Sequence, residues 1–285
     1  MRPRTSTLVA ALAVAAFGGW LALRQPSTTR TWADDHERLA TVTRRGDTVR
    51  LVNVRDFRYG PKGVRARQWH DRVIRLDQVD RAWFVLVPLS HSLRAPAHSF
   101  VTFGFGDTAT LSFSVEARRE AGEEYGVVAG MLRSFELVYV VAEESDNLGR
   151  RATLSDHPIY RFPVKGTREG FRTVLADMLD RAESLRTQPT FYHTIWNNCT
   201  SNLVAHVNRV SPTKLPGIVA AVMPGYADDV IRDLDLVADS LPAAALRAAA
   251  LRARYRVDAA ARRAVAAGLS GAAFSQAMHD ATAPR

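Results

Sequence analysis

The stretch FYHTIWNNCTSNLVAHV, residues 191–207, holds the only cysteine of this 285-residue chain. Cys199 follows Asn197 and Asn198 and stands at the start of a helix that the pattern predicts from about 198 to 210. Backbone N–H groups and the positive end of the helix dipole would then favour a thiolate, and they could also stabilise an oxyanion. Either asparagine could cap the helix or donate to that oxyanion. The alternative is that Cys199 is a small buried hydrophobe.

A thiol nucleophile needs a base, and His98 is the best of the eight histidines. It begins a predicted strand, and the turn signal GDT leads into a second strand that carries Glu116. Pairing about Asp107 puts His98 opposite Glu116, whose carboxylate could orient the imidazole. His91 could instead reach in from the preceding loop, and His193 and His206 flank the cysteine. The alternatives are a hydrogen-bonded core histidine and a solvated glutamate at a strand end.

Several other kinds of site are disfavoured. One cysteine excludes an intramolecular disulfide and any multi-cysteine zinc or iron–sulfur centre. HExxH is absent, and no histidine pair at metal spacing has a third ligand, so we expect no metal and no cofactor. G-x-S-x-G is also absent, and GFGDT reads as a hairpin turn and not as a phosphate loop. The net charge of +9 comes mainly from scattered arginines, which predicts no nucleic-acid partner but leaves anionic lipid head groups possible.

The N-terminus carries an uncharged run from Thr5 to Leu23 between Arg4 and Arg24. A helix over this run would be about 28 Å long, close to the thickness of a bilayer core. We therefore predict a membrane anchor within residues 1–26, with the rest of the chain outside the cytoplasm. A cleaved signal segment and a buried soluble helix are the alternatives.

The remaining pattern predicts an α+β fold, in which an antiparallel β-sheet is packed with helices. We divide the chain into a linker (27–46), a catalytic domain (47–215) and a helical C-terminal extension rich in Ala and Arg (216–285). Residue alternation and composition predict strands at 48–57, 82–89, 98–105, 109–118, 133–144 and 159–164. The last is an edge strand, because Pro163 cannot donate to a ladder. Besides the helix at Cys199, an amphipathic helix over 167–187 is expected, with Thr167 as its N-cap.

Four stretches resemble, in order, the Lnb N-terminal periplasmic domain family: VNVRDFRYG, AHSFVTFGFGDTATLSFSVEARREAGEEYG, GMLRSFELVYVVAEESDNLGRRA and FYHTIWNNCTSNL. The resemblance covers roughly residues 47–210. It implies an envelope-exposed bacterial domain and a link to lipoprotein N-acylation. Together with the anchor predicted from the N-terminal run, it places the main domain in the periplasm, held at the bacterial inner membrane by a single N-terminal anchor. The site pattern is similar to circularly permuted papain-like enzymes of the lecithin-retinol acyltransferase group. That similarity implies Cys199 as the nucleophile and His98 as the base.

Three functional hypotheses follow. The first is a membrane-anchored periplasmic thiol acyltransferase that acts on a phospholipid or lipoprotein through a thioester on Cys199. The second keeps the site but makes it a cysteine hydrolase, an amidase or peptidase, of cell-envelope material. The third is a non-catalytic envelope-binding domain in which Cys199 belongs to the core.

Overall fold

A mixed β-sheet of eight strands forms the centre of the protein. The structure is a computed structural model that describes residues 3–60, 62–94, 96–106, 109–215, 224–240 and 246–282. The strands are β1 (Thr41–Arg45), β2 (Thr48–Arg55), β3 (Arg58–Gly60), β4 (Gly63–Ala66), β5 (Trp69–Arg75), β6 (Val79–Pro88), β7 (Ala97–Phe105), β8 (Ala109–Arg118), β9 (Glu136–Ala142) and β10 (Tyr160–Pro163). The order in the sheet is β1-β2-β9-β8-β7-β6-β10, with β5 also paired to β2, and β3 and β4 form a separate hairpin.

The α+β class predicted from the sequence is confirmed, but the sheet is not purely antiparallel. β2 and β9 run parallel where Arg55 pairs with Ala142. These two strands are far apart in the sequence, and residue alternation cannot reveal which distant strands become neighbours. The strand predicted at 159–164 is β10, and it lies at the edge of the sheet as Pro163 requires.

The hairpin of β7 and β8 has the register that the sequence predicts. Phe100 pairs with Ser114 and Phe105 pairs with Ala109. Residues 107–108 of the predicted turn lie outside the described residues. If the register is continued by two residues beyond Phe100 and Ser114, His98 lies opposite Glu116. The strand pairing itself therefore brings the two candidate site residues to one end of the hairpin.

Nine helices are described. They are α1 (Pro3–Leu23), α2 (Val127–Met131), α3 (Glu144–Leu154), α4 (Arg168–Thr187), α5 (Cys199–Val210), α6 (Ala227–Asp233), α7 (Ala248–Arg254), α8 (Asp258–Ala266) and α9 (Gly271–Thr282). α4 begins as predicted, with the Thr167 side chain accepting a hydrogen bond from the Gly170 amide. Its apolar face buries Leu175 and Met178 in the main core beside the sheet. α3 was not predicted, because its sequence is polar although most of its residues are buried.

The two segments expected to flank the domain are packed into it. The 27–46 segment, expected to be a linker, buries Trp32, His36 and Ala40 and supplies strand β1. In the expected C-terminal extension, Phe274 and Met278 of α9 are fully buried in a cluster shared with Leu148 of α3. The described parts of both segments therefore belong to the same folded body as the sheet.

Helix α1 extends from this body with most of its apolar side chains exposed, including Leu8, Leu12 and Phe17. Within the described ranges, no helix combines the length and the apolar character needed to cross a membrane. The membrane-spanning anchor expected in residues 1–26 is therefore not confirmed.

Candidate active site

Cys199 is the first residue of α5 and is buried. Asn198 is the N-cap: its side-chain oxygen accepts from the Ser201 amide at 2.9 Å, and the Ser201 hydroxyl accepts from the Asn198 amide at 2.8 Å. This reciprocal capping box fixes where the helix starts. The thiol consequently lies in the first helical turn, where backbone N–H groups have no partner within the helix.

The side-chain amides of the two asparagines are used to hold the loop. Asn198 donates to the carbonyls of Thr194 and Ile195, at 2.7 and 3.3 Å. Asn197 donates to the Phe191 carbonyl at 2.7 Å and accepts from Asn202. Of the two roles expected for these residues, Asn198 therefore takes the cap. The side-chain amides of both asparagines already donate to backbone carbonyls, and a role of either in stabilising an oxyanion stays a prediction.

A hydroxyl pair joins the start of α5 to the strand that carries His98. The side chains of Ser99 and Thr200 are 3.0 Å apart and both are buried. Each residue is the chain neighbour of a candidate site residue. This contact therefore sets the position of Cys199 relative to His98.

A relay of hydrogen bonds determines which nitrogen of His98 is protonated. Ser114 donates its single hydroxyl proton to Oε1 of Glu116 at 2.7 Å, because an ionised carboxylate can only accept. The Ser114 oxygen, 2.8 Å from Nε2 of His98, must then accept from that nitrogen. The neutral imidazole consequently has an unprotonated Nδ1, which is free to accept a proton. The direct distance from Nε2 to Oε1 of Glu116 is 3.7 Å, so Ser114 mediates the contact.

Glu116 accepts hydrogen bonds from three segments, one of which is its own strand. Besides Ser114, its oxygens accept from Arg151 at 3.0 Å and from His36 at 3.1 Å. Nδ1 of His36 accepts from the Arg119 amide, so Nε2 carries the proton that goes to Glu116. Burial raises the pKa of Glu116, but the His36 hydrogen bond and the guanidinium groups of Arg151 and Arg150 outweigh it, and the pKa is held well below its usual range.

The electrostatic surroundings keep His98 neutral. Burial, together with the nearby Arg151 charge, lowers the pKa of His98 to about 3, although Glu116 acts in the opposite direction. Burial also lowers the pKa of Arg151, against the opposing effects of Glu116 and Cys199. Arg151 therefore interacts electrostatically with both Glu116 and Cys199. Glu116 supplies the negative charge that favours a proton on His98.

Cys199, His98 and Glu116 line one cavity of about 700 Å³. Its wall also contains Arg119, Arg150 and Arg151, and its outer part contains Leu89, Tyr125 and Val127, which are partly exposed. The Val127 carbonyl accepts from Thr194 at 2.8 Å, which ties α2 to the loop before Cys199. The cavity therefore has a charged interior beside the thiol and apolar residues further out.

The other histidines near the predicted site have different partners. His206, in the second half of α5, is hydrogen-bonded to the Tyr139 hydroxyl and to the Asp177 carboxylate. His193 stacks on Trp196, and its Nδ1 accepts from the Ile195 amide. His91 contacts Asp156 at 3.1 Å. None of these three is among the residues that line the cavity with Cys199.

Sequence reasoning missed His36, Ser114 and Arg151. Ser114 had a usable signal, because it lies two residues before Glu116 on the same face of one strand. His36 and Arg151 had none, since each reaches Glu116 from a segment that the sequence analysis did not place near it.

The family model of the Lnb N-terminal periplasmic domain matches residues 65–225. The match covers more than half of the chain and includes His98, Glu116 and Cys199. The chain belongs to the Lnb N-terminal periplasmic domain family. Its domain is therefore of a periplasmic type, as the sequence analysis predicted.

No curated protein and no solved structure matches the chain. The circularly permuted papain-like architecture accordingly stays a prediction. His36 lies before the matched range, so one partner of Glu116 comes from outside the family domain as its model defines it.

Proposed function

We propose that this protein is a thiol acyltransferase that moves an acyl chain from a phospholipid or lipoprotein to an amine. The observation that carries the proposal is the hydrogen-bonded series Glu116–Ser114–His98, which ends in the same cavity that Cys199 lines. A nucleophile, an oriented base and a carboxylate that compensates the charge on that base are the groups that covalent acyl transfer needs.

In the first half-reaction, Nδ1 of His98 takes the thiol proton while Sγ of Cys199 attacks the ester carbonyl. The oxyanion that forms is stabilised by backbone N–H groups at the start of α5. The carbon–oxygen bond to the alcohol then breaks, and His98 returns the proton to the leaving oxygen. The products are a thioester on Cys199 and a lysophospholipid, and Glu116 stabilises the imidazolium while it exists.

In the second half-reaction, an amine attacks the thioester and His98 takes its proton. Collapse of the tetrahedral intermediate releases an amide and the thiolate, which recovers the proton from His98. Transfer prevails over hydrolysis only where the amine is held close and water is kept out. The apolar residues Leu89, Tyr125 and Val127 at the outer part of the cavity would accommodate an acyl chain there.

The same proposal assigns helix α1 to the membrane surface. The Arg133 side chain donates to the Leu21 carbonyl at 3.2 Å, and Arg24 donates to the Leu132 carbonyl at 3.3 Å. These contacts put the end of α1 beside α2, whose exposed Val127 borders the cavity. An apolar helix bound to lipid would thus bring the cavity to its substrate.

Hydrolysis is the second candidate, because Arg119 and Glu124 give the cavity wall polar groups that hold water as readily as an amine. Purified protein in detergent, with phospholipid and a diacylated lipopeptide, distinguishes the two. We expect N-acylated lipopeptide and lysophospholipid from wild type and from the surface control Thr173→Ala, and neither from Cys199→Ala. Free fatty acid without acylated peptide, over several donors, would replace the transferase with a hydrolase. Absence of both products would favour a non-catalytic binding domain.

Attachment through α1 is tested separately. We expect the full chain to sediment with membranes and to retain its N-terminus on sequencing. A mature N-terminus between residues 20 and 35 would identify a cleaved signal segment and refute the attachment.

A further inference from the structure

A second cluster of ligating side chains lies outside the catalytic cavity. His91, Asp156 and His157 each offer one ligand atom, and these atoms all lie within 4.8 Å of one another. Nε2 of His91 is 3.1 Å from a carboxylate oxygen of Asp156, and the two imidazole rings have centroids 4.4 Å apart. His91 comes from the connection between β6 and β7, whereas the other two residues follow α3. The fold thus brings together groups from two distant parts of the chain.

The donor set suits zinc. Imidazole nitrogen and carboxylate oxygen are both zinc ligands, at metal distances of about 2.0–2.2 Å. Ligand atoms around a tetrahedral ion at that distance are roughly 3.5 Å apart, so small side-chain rotations would close the cluster onto one ion. Nδ1 of His157 is buried and has no hydrogen-bond partner among the described residues. Buried polar atoms are normally hydrogen-bonded, so this nitrogen is available to bind an ion.

We propose that His91, Asp156 and His157 form a zinc site with three protein ligands and an open fourth position. Its location gives it a consequence for the cavity. Leu89 and Pro96, at the two ends of the connection that holds His91, line the cavity, and so do Arg150 and Arg151 of α3. A bound ion would tie the β6–β7 connection to the segment after α3 and so brace two walls of the cavity. The proposal does not depend on what Cys199 does.

Metal binding by the full-length protein tests the site directly. After treatment with EDTA and dialysis, zinc chloride is titrated calorimetrically, and cobalt(II) is added to a parallel sample to follow the visible absorption of a tetrahedral site. We expect one zinc ion per chain, a cobalt band that zinc removes, and a melting temperature that rises by about 5 °C at saturating zinc. His91→Ala and His157→Ala should each weaken zinc binding by at least tenfold.

Two exposed histidines elsewhere supply matched controls, since His70→Ala and His279→Ala remove the same chemical group. They should bind zinc as wild type does, and Cys199→Ala should as well. Zinc affinity that is equal in His91→Ala, His157→Ala and the two controls would overturn the proposal. So would the lack of any cobalt band in a wild-type protein whose circular dichroism shows it to be folded.

Discussion

Asp146 and Glu116 are both buried carboxylates that accept hydrogen bonds from arginine, but only Glu116 lines the cavity. Asp146 accepts from two nitrogens of Arg55 at 2.9 Å each, from the Phe57 amide at 2.8 Å and from the Tyr59 hydroxyl at 2.9 Å. Its acceptor positions are filled and it is completely buried. Glu116 also accepts from an arginine, but it lies in a cavity wall and its hydrogen bonds lead through Ser114 to His98.

The difference separates a structural charge from a candidate functional one. A buried ion pair whose hydrogen bonds are all made inside the fold holds segments together, here β2, the β3 hairpin and α3. Glu116 instead connects through Ser114 to a neutral histidine that lines the same cavity as the Cys199 thiol, so its hydrogen-bond network reaches the cavity and does not end inside the fold. Perturbed titratable groups in a cavity of that kind are candidates for catalysis. The following variants test this distinction, beginning with the one for which we expect the largest effect.

His98→Ala should affect activity far more than stability. Loss of the general base should lower turnover by about 10²–10⁴-fold, because both half-reactions pass a proton through this residue. Steady-state N-acylation measures the first quantity and urea unfolding the second. A turnover equal to that of Thr173→Ala would remove His98 from the mechanism.

Asp146→Ala should show the opposite balance. It leaves the buried Arg55 charge uncompensated, which typically costs about 3–5 kcal/mol of the free energy of unfolding. Urea denaturation should show this loss, while protein that is still folded should retain turnover close to that of wild type. If Asp146→Ala lowered turnover as strongly as His98→Ala without a change in stability, the two carboxylates would not differ as we describe.

Glu116→Gln should lower turnover by at least tenfold, which corresponds to about 1.4 kcal/mol in the activation barrier. The amide keeps most of the shape but cannot stabilise an imidazolium by charge. His36→Asn should have a smaller effect in the same direction, because it removes one hydrogen bond to the carboxylate. Unchanged turnover of Glu116→Gln would transfer the orienting role to Ser114 alone.

The last prediction concerns the titration of His98. Its folded pKa of about 3 lies below the ordinary value of about 6.5, so the unfolded chain takes a proton first as the pH falls. This contribution to stability is complete above pH 6.5 and is lost progressively as the pH falls towards 3. The imidazole NMR signals should show His98 neutral at pH 5, and Arg151→Met should raise its pKa. A midpoint near 6.5 in the folded protein would contradict the electrostatic account.

The sequence predicted the local part of the site well. The β7–β8 register follows from alternation and one turn signal, so the placement of His98 opposite Glu116 needed no tertiary information. The start of α5 at Cys199 followed from the asparagine before it and the apolar periodicity after it. Both features depend on residues that are close in sequence.

The rest of the site depends on contacts between distant segments. The segment with His36 reads as a polar linker, although this histidine is buried against Glu116. Arg151 belongs to α3, whose polar sequence hides its buried position. His91 meets Asp156 and His157 only because β10 returns beside β6. No local pattern carries such information, and hydrophobic periodicity is weakest where a buried helix uses ion pairs and hydrogen bonds.

The acylation state of Cys199 tests the central claim most directly. Wild-type protein is incubated with phospholipid, quenched in acid and analysed as intact protein and as peptides by mass spectrometry. We predict an added acyl mass on the Cys199 peptide that hydroxylamine removes, with no such mass on the same peptide of Cys199→Ala. The account is contradicted if no adduct forms with any lipid and if iodoacetamide at pH 6.5 alkylates Cys199 no faster in the folded protein than in a model peptide.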